Sequence, residues 1–268
     1  MTKGKKIAAY TFLSIVSFFS VFPLYWMFSA ATNKSVDVTR GKMIPGGAMA
    51  ENFQKLISSQ NVSAALVNSF KYAIVMTLIS LVVCSVAGYG FEIFHDKWKD
   101  RVMSVILLAM MVPFAATMIP LYQMFSKAHL LNSTLGFILP GISTPFLIMM
   151  FRQSARSFPS DIIEAARLDG LSELQIFFRM FIPTMRSTYA AAMTIVFMNA
   201  WNSYLWPKVI MSDAGSITMP MLVANLTEGY ITDYGVLMLA VLICTLPTVM
   251  IFFLLQKSFA EGITGAVK

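Results

Sequence analysis

The chain has 268 residues, of which 57% are hydrophobic and 12% are charged, and its mean hydropathy is +0.70. Soluble domains carry about a quarter charged residues, so this composition argues against a soluble globular fold. The net charge of +7 is not arranged as a basic stripe between aromatic residues, which disfavours a nucleic-acid-binding surface.

Six stretches of at least 20 residues contain no charged side chain: 7–33, 72–91, 102–126, 130–151, 187–207 and 234–256. Each is long enough to cross about 30 Å of hydrocarbon as a helix, which takes about 20 residues. Lysines precede the first stretch, as in a signal peptide, but its 27 residues are longer than a typical apolar signal region. The sequence therefore predicts an all-α integral membrane protein with six transmembrane helices in a single domain, 1–268.

The distribution of Lys and Arg predicts a cytoplasmic N-terminus. With that orientation, 13 of the 20 basic residues are cytoplasmic: Lys3, Lys5, Lys6, Lys97, Lys99, Arg101, Arg152, Arg156, Arg167, Arg179, Arg186, Lys257 and Lys268. Most of the others lie in the long loop after the first helix, where the positive-inside rule has less force. Six crossings then place both termini, and the tail 257–268, in the cytoplasm.

The connections and prolines refine this outline. A cluster of Gly and Pro at 41–47 interrupts the first external loop, and the short cytoplasmic connection 92–101 makes helices 2 and 3 antiparallel neighbours. Pro113 and Pro120 in helix 3 predict either a kink or an ordinary packing feature.

The chain offers few groups for catalysis. His95 and His129 are its only histidines and are predicted on opposite sides of the membrane, and Cys84 and Cys244 lie in separate membrane stretches. The sequence has no Walker A pattern, and the six stretches contain no paired ionisable groups. We therefore expect no catalytic residue, no metal site and no cofactor on this chain, and a membrane enzyme is the least favoured alternative.

The polar segment between helices 4 and 5, residues 152–185, has the pattern of two short helices. The first is predicted over 159–168, with a proline in its first turn and Gly170 closing its end in a left-handed conformation. A Ser-x-x-Gln capping box at 172–175 begins the second helix, which must stop or kink near Pro183.

Small side chains mark one face of the first short helix. Ala165 and Ala166 leave a shallow surface that another protein's backbone can approach, and Glu164 and Asp169 offer hydrogen-bond acceptors at its edges. The alternative is that Ala and Glu are present only because they are good helix formers. Periodicity alone does not decide between the two interpretations.

A family resemblance favours the first interpretation. The stretch EAARLDG, followed by Met180, Ile182 and Pro183, resembles the EAA signature of ABC importer permeases, with Met180 and Ile182 at positions that the family often fills with Ile and Leu. The resemblance implies that the segment is a coupling helix seated in a cytoplasmic ATPase. The implied coupling residues are Glu164, Ala165, Ala166, Asp169, Gly170 and Pro183.

Two further stretches indicate the subfamily. NAWNSYLWP at 199–207 is similar to WNEFLWP of carbohydrate permeases, in particular the maltose-type second permease, although Ser203 stands where many relatives carry an acid. QKSFAEGITGAVK at 256–268 is similar to the end of the same subfamily. The resemblance implies half of a sugar pathway, together with a second permease, two ATPase subunits that hold ATP and Mg²⁺, and an extracellular or periplasmic solute-binding protein.

Residues near the end of helix 5 are candidates for cargo contact. Asn199, Trp201, Asn202 and Tyr204 combine aromatic surface with uncharged hydrogen-bonding groups, as a sugar requires, although aromatic residues at this place also form interfacial belts. The resemblance also implies that the tail reaches the ATPase near its nucleotide site.

The implied tail contacts are Gly262, Ile263, Thr264 and Gly265. Two alternative functions remain open. One is an ABC permease for another polar solute such as glycerol phosphate. The other is an ion-driven transporter, which would normally show intramembrane acids or an internal repeat with broken helices, neither of which is evident in the sequence.

Overall fold

The computed structural model describes the backbone of residues 3–265 and the side chains of residues 4–256. Residues 3–265 contain no β-strand, which confirms the predicted all-α class. The α-helices are α1 Lys3–Ala31, α2 Ser35–Thr39, α3 Met49–Ser59, α4 Val62–Ile93, α5 Lys97–Ala109, α6 Phe114–Lys127, α7 Thr134–Ile138, α8 Pro145–Ala155, α9 Ser160–Leu168, α10 Glu173–Ile176, α11 Ile182–Thr184, α12 Arg186–Trp201, α13 Leu205–Ile210, α14 Met219–Asn225 and α15 Tyr234–Gly265. Short 3₁₀ turns occupy Leu139–Gly141 and Ala214–Ser216, and a π turn occupies Phe177–Phe181.

The first of two compact units comprises residues 3–65 and 219–247. The buried Asn52 of α3 closes the end of α1, because its side-chain nitrogen donates to the carbonyls of Ala31 and Asn33, each at 2.9 Å. Ser35 links α2 to the start of α15 by accepting a hydrogen bond from the Tyr234 N–H at 3.0 Å. These bonds satisfy backbone groups that a helix end leaves without partners.

The second unit comprises residues 66–218 and 248–265. Its central core joins α4, α5, α8 and α12 through Leu81, Cys84, Met103, Leu147, Ile148, Phe151, Ala192 and Val196. A neighbouring core lies under the segment between α8 and α12 and contains Tyr89, Ala155, Phe158, Ile163, Ala166, Ile176, Phe177, Phe181 and Met185. The segment between α8 and α12, described below, packs on the second of these cores.

Three helices are long and apolar enough to cross a membrane unbroken: Gly4–Ala31, Val62–Ile93 and Tyr234–Gln256. The predicted windows 102–126 and 130–151 instead fold as two bent pairs, α5 with α6 at 98° and the stretch Thr134–Gly141 with α8 at 54°. Counting each bent pair as one span gives five.

The fifth predicted window, 187–207, explains the difference from six. Its main helix, α12, has 16 residues and is about 24 Å long at 1.5 Å per residue, short of a bilayer core of about 30 Å. Six crossings therefore remain a prediction.

The bend between α5 and α6 lies at a proline. Pro113 precedes α6 in an extended conformation (φ −61°, ψ 131°), and a proline disfavours helical backbone in the residue before it. The predicted kink of helix 3 is thus present at Pro113, whereas α6 continues through Pro120. Charge-free length alone does not reveal how sharp this bend is.

Close contact between α4 and α8 depends on Gly88. A Cβ atom at this position would lie 2.6 Å from the Phe151 Cβ and 2.7 Å from the Arg152 backbone nitrogen. We predict that Gly88→Val lowers stability by about 1–3 kcal/mol through overpacking, visible as a lower melting temperature of the purified protein in detergent. Gly90→Val is the matched control, because a Cβ there meets nothing within 4 Å; equal melting temperatures for the two variants would contradict the prediction.

Candidate functional site

The segment between α8 and α12 has the local structure that its sequence predicts. Gly170 has φ +80°, and its N–H donates to the Arg167 carbonyl while the Leu171 N–H donates to the Ala166 carbonyl. This is a Schellman ending of α9, which requires a left-handed residue at the glycine. Ser172 and Gln175 form the predicted capping box at the start of α10, so the turn between the two helices is fixed at both ends.

Pro183 lies where the second short helix changes its hydrogen bonding. A proline has no N–H to donate and crowds the carbonyl four residues earlier. The π turn Phe177–Phe181 precedes it, with the Ile182 N–H donating to the Phe177 carbonyl, and α12 begins after Met185. The predicted interruption near Pro183 is therefore present. The role of Pro183 in the structure is to interrupt regular helical hydrogen bonding, and its side chain is exposed.

The predicted contact residues of α9 divide between two faces. Glu164, Ala165, Asp169 and Gly170 are exposed, whereas Ala166 is 1% exposed and packs into the core beneath the helix. Ala166 therefore serves the packing of α9 on its own chain rather than a surface. The exposed residues form one side of the segment, which we call the coupling face.

Two leucines of the coupling face were missed by the sequence analysis. Leu168 is 89% exposed and Leu174 is 70% exposed, one on each side of the Gly170 turn. Large apolar side chains held in water at a rigid turn are typical of a protein contact. Their signal in the sequence was a leucine on each side of a glycine that ends a helix.

Glu173 ties the coupling face to α4. One carboxylate oxygen accepts from Arg167 Nε at 2.6 Å, and the other accepts from the Tyr89 hydroxyl at 3.3 Å. The hydrogen bond to Glu173 raises the pKa of the Arg167 guanidinium. One side chain on α10 therefore contacts both α9 and α4.

A second ionic cluster joins the ends of α4, α5 and α8. The Arg152 side chain is 5% exposed and donates from Nε to Glu92 at 3.0 Å and from Nη2 to Asp100 at 2.6 Å. Arg156 contacts the same Glu92 carboxylate at 3.2 Å. A buried charge without partners is costly, so this cluster fixes the geometry of the three helices. The sequence showed these charges only as a topology signal.

A cavity of about 450 Å³ lies near the end of α12. It is lined by Met76, Phe114, Phe137, Pro140, Gly141, Asn199, Ala200, Asn202, Ser203, Tyr204, Leu205 and Trp206. Three of the four predicted cargo residues, Asn199, Asn202 and Tyr204, are therefore brought together on one wall. We call this space the α12 cavity.

Trp201, the fourth predicted cargo residue, does not line the α12 cavity. It is 1% exposed, stacks on Phe197 at 5.8 Å between ring centroids and packs edge-on against Phe70 at 4.8 Å. Trp206 is also buried, and its indole N–H donates to the Gly136 carbonyl at 2.9 Å. Because both indoles are buried within the protein, neither forms an interfacial belt. Trp201 packs behind the part of the chain that carries Asn199 and Asn202.

The predicted tail contacts lie at the edge of the described structure. The backbone of residues 262–265 continues α15 as helix, so the helix extends well beyond the predicted start of the tail. The side chains of Gly262, Ile263, Thr264 and Gly265, and all of residues 266–268, lie outside the described part.

Comparisons with known proteins agree with the helical architecture. Residues 82–265 match the family described as the binding-protein-dependent transport system inner membrane component. The chain is 44% identical to the lactose transport system permease protein LacG of Rhizobium radiobacter, over 98% of this chain and 96% of that protein. It is 29% identical to the arabinooligosaccharides transport system permease protein AraQ of Bacillus subtilis, over 98% and 96% respectively.

A solved structure shares the fold. A chain of a bacterial ABC transporter involved in the import of the acidic polysaccharide alginate superposes with a TM-score of 0.85, covering 97% of this chain and 99% of that chain. The sequence identity is 19%, so this likeness concerns the fold alone.

The turn at Gly170 generates a test of the coupling face. Val in the left-handed region costs roughly 1–2 kcal/mol, which corresponds to a population of the frayed helix end about 5- to 30-fold larger. We predict faster tryptic cleavage after Arg167 in Gly170→Val, followed by limited proteolysis in detergent. Gly170→Asn is the control, because Asn tolerates this conformation; equal cleavage rates in both variants would exclude the proposed strain.

Proposed function

Because the chain belongs to the family of binding-protein-dependent transport system inner membrane components, we propose that it forms one half of the membrane pathway of an ATP-driven importer for a sugar or oligosaccharide. The observation that carries this proposal is the 44% identity to a lactose transport system permease across nearly the whole of both chains. The α12 cavity supports it, because its wall presents carboxamides and aromatic rings, the groups that bind sugar hydroxyls and C–H faces.

The proposal assigns ATP hydrolysis to other subunits. The chain is a multi-pass membrane protein whose relatives are transport permeases, and we assign ATP and Mg²⁺ to two cytoplasmic ATPase subunits. A second permease completes the pathway, and an external solute-binding protein delivers the sugar. The complete importer is therefore an assembly in which this chain contributes one wall and one ATPase contact.

The coupling face is the proposed ATPase contact. Leu168 and Leu174 supply exposed apolar surface, and Glu164 and Asp169 supply acceptors at its edge. The turn at Gly170 holds these groups in one arrangement, and the bridge through Glu173 connects them to α4. We assign residues 262–265 to the same ATPase on the family resemblance of the tail.

Reconstitution with the three partner proteins tests the function. We expect ATP-dependent uptake by proteoliposomes of at least one sugar from a panel of lactose, an arabino-oligosaccharide, an acidic disaccharide and glycerol 3-phosphate. Deletion of 262–268 is expected to lower ATPase retention during co-purification without preventing membrane insertion. If only glycerol 3-phosphate were taken up, the proposed cargo would be wrong and the alternative cargo correct. If the truncated chain retained the ATPase and transported normally, the tail contact would be excluded.

Both termini are proposed to be cytoplasmic, with six crossings. In a variant with Cys84 and Cys244 replaced by Ala, Ser212→Cys is expected to react with an impermeant thiol reagent added to intact cells, whereas Ser160→Cys is not. Both serines are exposed in the structure, so a difference in labelling reports the side of the membrane and not burial. Labelling of Ser160→Cys in intact cells would contradict this topology.

A further inference from the structure

We propose that the α12 cavity is a direct subsite for an uncharged sugar, so that this permease contacts the cargo itself. The inference rests on the proposed function and specifies the chemistry of the cargo. It is carried by three observations: helix breaks converge on the cavity, its wall contains no charged side chain, and a second cavity continues it.

Three interruptions of predicted membrane helices meet at the cavity. Phe114 follows the break at Pro113 between α5 and α6, Gly141 ends the 3₁₀ turn before α8, and Asn202 lies between α12 and α13. Non-helical backbone at membrane depth is tolerated only where it is buried in protein or lines a polar cavity, because hydrocarbon satisfies no hydrogen bond. Broken helices that face one space therefore indicate a polar cargo there.

The wall is polar without being charged. All twelve lining residues fall within the charge-free stretches 72–91, 102–126, 130–151 and 187–207. An anionic cargo in such surroundings would lose its hydration without gaining a cationic partner, which is unfavourable in a medium of low dielectric constant. A neutral sugar requires only hydrogen bonds and apolar surface, and the cavity offers both.

The individual groups suit the two faces of a sugar ring. The Asn199 side chain is exposed and has no hydrogen-bond partner among the described residues, and Tyr204 adds a hydroxyl nearby on the same wall. Phe114 is 44% exposed, and its ring packs edge-on at 6.1 Å against Trp206, which is itself held by Gly136. Phe114 thus adds a fixed apolar surface to a cavity that hydrogen-bonding groups also line.

A second cavity extends the first along α12. Its volume is about 330 Å³, and it shares Met76, Gly141 and Asn199 with the α12 cavity. A Cβ atom at Gly141 would collide with Met76 Cε, so this glycine allows the shared wall to form. Both volumes lie within the range of about 300–1,000 Å³ for small-molecule sites. Asn199, which lines both cavities, is placed to contact a sugar of more than one ring.

The test measures uptake and ATP hydrolysis together in the reconstituted importer, using whichever panel member the unaltered importer takes up. Loss of one neutral hydrogen bond of about 0.5–1.5 kcal/mol corresponds to a change of roughly 2- to 12-fold. We therefore expect Asn199→Leu and Tyr204→Phe each to lower the number of sugars imported per ATP hydrolysed by about that factor. Tyr122→Phe is the matched control, because Tyr122 does not line either cavity, and its ratio should equal that of the unaltered chain.

A labelling experiment covers variants that transport poorly. In the Cys84→Ala, Cys244→Ala background, the neutral sugar is expected to slow thiol labelling of Asn202→Cys but not of Ser58→Cys, an exposed site of α3. The subsite would be overturned if the Asn199 and Tyr204 variants kept the sugar-to-ATP ratio of the unaltered chain, including the case in which uptake and ATP hydrolysis fall in parallel. It would also be overturned if the sugar did not protect Asn202→Cys from labelling. Neither result would contradict sugar import as such. Import of only an acidic sugar would refute the neutral-cargo assignment. Absence of any sugar import by the unaltered assembly would instead refute the proposed function.

Discussion

Hydrocarbon satisfies no backbone hydrogen bond, and each polar group left without a partner there costs several kcal/mol. This constraint limits where the helices of the second unit can be interrupted at membrane depth. The 98° bend before α6 and the 54° bend before α8 are costly in lipid and are tolerable around a polar space. The short α12 and the break at 202–204 belong to the same arrangement, so the irregular backbone and the cavity have one physical cause.

Several local constraints hold the segment between α8 and α12 in one arrangement. The Schellman turn at Gly170 and the adjacent capping box fix the angle between α9 and α10, and the aromatic core beneath them holds Tyr89 against Phe177 and Phe181 at about 5 Å. Glu173 then joins both short helices to α4. These contacts hold the coupling face in a fixed position relative to α4, as the proposed ATPase contact requires.

Local patterns predicted the features that depend on neighbouring residues in the chain. The left-handed Gly170, the capping box and the interruption near Pro183 all follow from chemistry within a few residues. The inward direction of Ala166 and the burial of Trp201 depend on partners far away in sequence, such as Phe181 and Phe70. Composition identified the apolar stretches but carried no information on the angle between the two helices that meet at Pro113. Asn199, Asn202 and Tyr204 could be grouped from the sequence because they lie close together in the chain, whereas only the fold brings Phe114 to the same cavity.

The ionic cluster around Arg152 has a consequence for biosynthesis. Glu92 and Asp100 precede Arg152 by 60 and 52 residues, so both carboxylates have left the ribosome before the arginine is made. The two carboxylates that enclose the guanidinium in the folded protein are therefore available for pairing as soon as the arginine emerges, so that its charge need not be buried alone. In the reverse chain order, the arginine would be made before either of these partners existed.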